Sequence, residues 1–114
     1  MHRQEIEQLC LALPTATLDY PFGPGVDAYR VGGKMFALVS PDGGVSFKVS
    51  DIAFEVLTET GRARPAPYLA RAKWVNLPDP SAWEAGDLAE HLATAHEIVA
   101  AGLTRKARAT LGLV

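Results

Sequence analysis

An α+β fold, with helices packed on one face of an antiparallel sheet, is what this 114-residue sequence predicts. Three observations carry the prediction. Two β-favouring runs, VDAYRV and KMFALVS, are joined by Gly32 and Gly33, which can take the positive φ angles of a tight hairpin turn. A further run alternates Val45, Phe47 and Val49 with Ser46 and Lys48, as a half-buried strand requires. Apolar residues at helical spacing flank these strands towards both ends of the chain. Consecutive hairpins pair antiparallel, which leaves the helices to cover the apolar face of the sheet.

In chain order, the first helix runs from about His2 to Leu13, with Ile6, Leu9, Cys10 and Leu13 on one face. It ends near Pro14, because proline disfavours helical geometry in the residue before it. A loop follows through Pro21, Phe22, Gly23, Pro24 and Gly25, then the hairpin around Gly32 and Gly33. Pro41, Asp42, Gly43 and Gly44 make a second turn before the strand from Val45. Ser50 or Asp51 caps the next helix, whose apolar positions are Ile52, Phe54, Val56 and Leu57, up to a stop at Gly61. The stretch RARPAPYLARAKWVNL begins proline-broken and ends in a strand from Lys73 to Leu77, which Pro78 and Pro80 close. Ser81 and Glu84 have capping-box spacing, with Asp87 a second cap, ahead of a long helix lined by Leu88, Leu92, Ala95 and Val99. Gly102 ends it. Thr104 starts a short last helix with Leu103, Ala107 and Leu111 on one side and Arg105, Lys106 and Arg108 towards solvent.

This length suits one domain over residues 1–114, since a chain of this size buries roughly two-thirds of its unfolded surface in a single core. No apolar run approaches the ~18 residues needed to cross a bilayer, and the amino terminus carries acids where a secretion signal would be basic and then greasy. The expected location is the cytoplasm, without membrane contact. Cys10 is the one cysteine, so it has no internal disulfide partner, and its helical spacing predicts a packed thiol.

Several chemistries lack their residues. Gly32 and Gly33 lie between two strands with no following helix, so no phosphate-cradling loop is built there. There is no GxSxG elbow. His91 and His96 are five residues apart, about 140° around a helix, whereas a helical metal pair needs i, i+3 or i, i+4. His96 reads as a packed histidine, and Glu90 and Glu97 as solvated surface. The expectation is no catalytic residues, no metal, no cofactor, and a protein that is not an enzyme.

Charge is the informative feature. Residues 1–27 hold one base and four acids, 28–75 seven bases and four acids, 76–103 five acids and no base, and 104–114 three bases. Although the net charge is −2, basic segments therefore sit on an acidic molecule, and a polyanion would have to be met locally. Arg62, Arg64, Arg71 and Lys73 occur in one window without an acid, interleaved with Tyr68 and followed by Trp74. Cations near aromatic rings suit nucleic acid, the charges meeting phosphates and an exposed ring stacking on bases. Lys34 and Lys48 extend the patch if they face the same way. The predicted DNA or RNA contacts are thus Lys34, Lys48, Arg62, Arg64, Tyr68, Arg71 and Lys73, giving weak, salt-sensitive binding by a monomer, with a dimer left open. The rival reading is a protein-interaction or small-ligand domain whose groove is lined by Tyr68, Trp74, Pro65 and Pro67.

The segments DYPFG, DAYRVGGKMFALV, SFKV, APYLARAKWV and HEIVAAGLTRKAR, in this order, resemble the MmcQ/YjbR family of small bacterial proteins. The likeness covers nearly the whole chain and is most specific at Gly33-Lys34-Met35-Phe36 and at PYLARAKW. It implies a fold similar to CyaY, the bacterial frataxin, and a double-wing DNA-binding role in which β hairpins act as wings. On this chain the wings would be the hairpins around Gly32-Gly33 and Asp42-Gly43-Gly44, bringing Lys34 and Lys48 to the partner. Iron is not implied, because the first helix offers only Glu5 and Glu7.

Overall fold

The structure is a computed structural model that describes residues 1–113. Its strands are β1 (Thr17–Asp19), β2 (Asp27–Val31), β3 (Lys34–Val39), β4 (Val45–Lys48), β5 (Arg64–Pro65) and β6 (Trp74–Leu77). They form one antiparallel sheet in the order β1-β2-β3-β4-β6-β5. The helices are α1 (Arg3–Ala12), α2 (Asp51–Glu59), α3 (Ala85–Ala101) and α4 (Arg105–Thr110), with short 3-10 turns at Ala70–Ala72 and Pro80–Ala82. No helix among the described residues is long and apolar enough to cross a membrane.

Period-2 alternation sets the two faces of the sheet. Tyr29, Ala37, Phe47 and Val75 lie side by side across four strands and are all fully buried. They meet Ile6 and Cys10 of α1 and Leu88, Leu92 and Ala95 of α3 in one core. The neighbouring row, Leu38, Ser46, Asn76 and Arg64, points off the opposite face and turns polar towards β5. A register shift between Tyr29 and Arg30 adds one residue to β3, and Phe36 and Ala37 are both fully buried there. Phe36 then reaches His96 of α3 edge to face, with ring centroids 5.2 Å apart.

Local chemistry explains most boundaries. Gly32 and Gly33 have φ of +58° and +81°, as a two-residue turn between right-twisted strands demands. The Ser50 hydroxyl accepts from the Ala53 N–H, and the Thr104 hydroxyl from the Ala107 N–H, so both caps form as expected. The Ser81–Glu84 capping box does not. Ser81 instead donates its N–H to Asp79, Pro80 starts a 3-10 turn, and α3 begins after Glu84, which makes no side-chain cap bond. Asp87 lies inside the first turn of α3 rather than capping it. The edge strands β1 and β5 are additions to the expected meander, at three and two residues too short to show alternation.

Cys10 is completely buried, and burial pushes its thiol from 9.0 up to about 12. The unfolded chain releases this proton at lower pH than the folded one, so the contribution is intact below pH 9 and is lost as pH rises towards 12. The slope is about 1.4 kcal/mol per pH unit. Urea unfolding at pH 8 and pH 10.5 should therefore show wild type losing about 2 kcal/mol more than Cys10→Ala between the two conditions. Equal losses would place the thiol in contact with water.

Candidate nucleic-acid interface

A meander sends successive turns to opposite ends of its sheet. The Gly32-Gly33 turn lies at one end of β3 and the Pro41–Gly44 turn at the other, roughly 20 Å away for a six-residue strand. The two turns expected to act as wings therefore project from opposite ends of the sheet. Lys34 and Lys48 do share an end, because β4 runs back towards the first turn. Lys48 lies opposite Trp74, the first residue of β6, so Lys73 and the 3-10 turn carrying Arg71 arrive there too. From β2 to β6 this basic end spans three strand spacings, roughly 14 Å.

Lys34 and Arg71 are exposed. The Lys48 ammonium donates to the Ala72 carbonyl, and the Val49 N–H donates to the Lys73 carbonyl at 2.9 Å, which ties the 66–73 loop to the end of β4. Lys73 sits in the left-handed region, with φ 62° and ψ 52°, where the chain reverses from the 3-10 turn into β6. Its ammonium stands 5.0 Å from the centroid of the Phe54 ring, a cation–π contact that leaves the charge unneutralised. Tyr68, also at positive φ, is fully exposed, whereas Trp74 is 5% exposed. Trp74 is thus a packed aromatic, and the groove it was expected to line is not open. Glu90 lines a cleft with Lys48, Asp51 follows three residues after Lys48, and Asp19 is held at this end by Arg30, yet none of these four cations makes a salt bridge among the described residues.

Arg64 and Arg62 lie elsewhere. Arg64 projects from mid-sheet on the face away from the core, donating from Nε to the Asn76 side-chain oxygen at 2.8 Å, while Asn76 donates to the Ser46 hydroxyl at 2.9 Å. Arg62 is at the far end, 3.5 Å from Asp87 and stacked 4.5 Å above the Trp83 ring. That end also holds Asp27, paired with Arg3 at 3.1 Å, and Asp42 in the second turn. Hydrogen bonds from the Ser40 hydroxyl and the Gly44 N–H, with the Arg64 charge, hold Asp42 below the usual carboxylate range. The far end thus carries charges that are largely paired, whereas the Gly32-Gly33 end gathers Lys34, Lys48, Arg71 and Lys73 without an ion pair among the described residues.

Sequence reading passed over Arg30, whose guanidinium donates to the Gly33 carbonyl at 2.8 Å and pairs with Asp19 at 3.0 Å. Its position two residues before a tight turn was the available signal. The two histidines serve packing: the His96 Nε2–H donates to the Pro14 carbonyl at 2.8 Å, and the His91 Nδ1–H to the Asp87 carbonyl at 2.9 Å.

The fold recurs in a solved structure. The solved structure of Deinococcus radiodurans protein DR2400, described as a DUF419 domain, superposes with a TM-score of 0.88 at 25% identity, covering all of this chain and 91% of that one. An uncharacterised Escherichia coli O157:H7 protein, YbdF, is 32% identical over 75 residues, which is 62% of each chain. The match thus spans less than two-thirds of that relative. A sequence profile of the YjbR family matches residues 11–98, from the end of α1 through most of α3, and the chain belongs to the YjbR family.

Proposed function

We propose that this protein binds nucleic acid, without catalysis, through the basic end of its sheet. The observation behind the reading is the gathering of Lys34, Lys48, Arg71 and Lys73 at one end, none of them ion-paired among the described residues, beside the fully exposed Tyr68. The cations meet phosphates, and the Tyr68 ring offers one stacking surface. Arg64 contributes from the sheet face, and Arg62, neutralised by Asp87, contributes little.

Four phosphate contacts give a slope of about −3.6 for log affinity against log salt on duplex DNA, and a smaller one on single strands. Affinity for a labelled duplex should then fall on the order of 10²-fold between 50 and 200 mM salt. Fluorescence anisotropy with duplex DNA, single-stranded DNA and RNA measures this directly. Absence of binding to all three at 50 mM ends the reading.

A second reading, a protein-interaction domain, is favoured by Ile52 and Val56, which are 77% and 52% exposed one turn apart on α2. A partner held there would stay bound at high salt, because apolar burial is little screened.

A further inference from the structure

Resting on the nucleic-acid reading above, we infer that α4 is part of the same interface and supplies Lys106 and Arg105 as phosphate contacts. The short last helix is carried to the basic end by backbone packing. A Cβ added at Gly32 would lie 2.6 Å from Leu103 Cδ1, so the β2–β3 turn rests directly on the Leu103 side chain. Leu103 is 9% exposed and sits at the junction where Gly102 ends α3 and Thr104 caps α4. The first turn of α4 therefore starts beside the hairpin that carries Lys34. Lys106 lines the cleft between them with Gly32, Thr104 and Ala107.

Charge in these apposed segments is one-sided. Residues 28–41 contain Arg30, which Asp19 pairs, and Lys34, unpaired among the described residues, with no Asp or Glu; residues 98–114 contain Arg105, Lys106 and Arg108 and no Asp or Glu. Lys106 and Arg105 are exposed and make no salt bridge among the described residues. Like charges held together this way repel, which costs stability unless a polyanion neutralises them. A phosphate backbone crossing the Gly32-Gly33 turn meets Lys34 on one side and the first turn of α4 on the other. The interface then extends beyond β6 and Lys73 to a third basic element, about seventy residues of chain away from Lys34.

The test is the salt dependence of duplex binding for the full chain, for Arg105→Ala with Lys106→Ala, and for Arg62→Ala at the opposite end. Each lost contact makes the slope shallower by about 0.9. The α4 variant should therefore be shallower than wild type by about 1.8, with Arg62→Ala unchanged. If wild type binds and Lys34→Ala weakens it, but the α4 variant keeps the wild-type slope, the inference about α4 is overturned and the nucleic-acid reading stands. If wild type does not bind at low salt, that reading falls and takes the inference with it.

Discussion

Reversing two charges, Lys34→Glu with Arg71→Glu, should weaken duplex binding on the order of 10²-fold at 100 mM salt and make the salt slope shallower by about 1.8. The two side chains are the informative pair because neither is tied into the fold. Both are exposed, and neither makes a salt bridge among the described residues, whereas Lys48 holds the Ala72 carbonyl and Lys73 stands over Phe54. Folding stability should therefore stay within about 0.5 kcal/mol of wild type, as for other surface changes. Each loss acts twice: a counterion-releasing contact disappears, and a new carboxylate faces the phosphates. Anisotropy titration checks the affinity, and thermal unfolding checks that the fold is intact. An affinity change below threefold with an intact fold would place the binding surface away from this end of the sheet.

The basic window between Arg62 and Lys73 is continuous in the sequence but divided in space, for a topological reason. β5 runs antiparallel to β6, so the chain enters the window at the far end, crosses the sheet edge, and turns back at Lys73. Arg62 and Arg71 consequently stand at opposite ends, although nine residues separate them. Counting charge in a window cannot show this, because pairing of a two-residue strand leaves no periodic trace. What was legible had a local cause. Two adjacent glycines specify positive φ, Ser50 and Thr104 offer hydroxyls to free N–H groups, and Pro14 ends a helix by sterics. The Ser81–Glu84 box was equally local and failed, because Asp79 competes for the Ser81 N–H and Pro80 starts a different turn. The approach of α4 to Lys34 depends on Leu103 meeting a glycine seventy-one positions earlier, a contact that local spacing does not encode.

Phe47→Ala should cost about 3–5 kcal/mol, the usual range for deleting a large buried aromatic, while Tyr68→Ala should leave stability within about 0.5 kcal/mol. Phe47 is fully buried at mid-sheet, between Ala37 and Val75 on the flanking strands. Its ring lies 6.0 Å from Trp83, edge on, and 6.0 Å from His91, so its loss removes contacts to β4's neighbours and to α3 together. The cavity cannot collapse easily, because strand pairing on both sides fixes its walls. Tyr68, by contrast, projects entirely into solvent. Urea unfolding of the two variants should show a large fall in midpoint for the first and none for the second, with unchanged m-values. Binding should reverse the order: under conditions where both are folded, Tyr68→Ala loses the stacking contribution of about 1–3 kcal/mol and Phe47→Ala keeps its affinity. If Tyr68→Ala instead destabilised the fold, its ring would be packed against the 66–73 loop in solution, and the basic end would bind phosphates by charge alone.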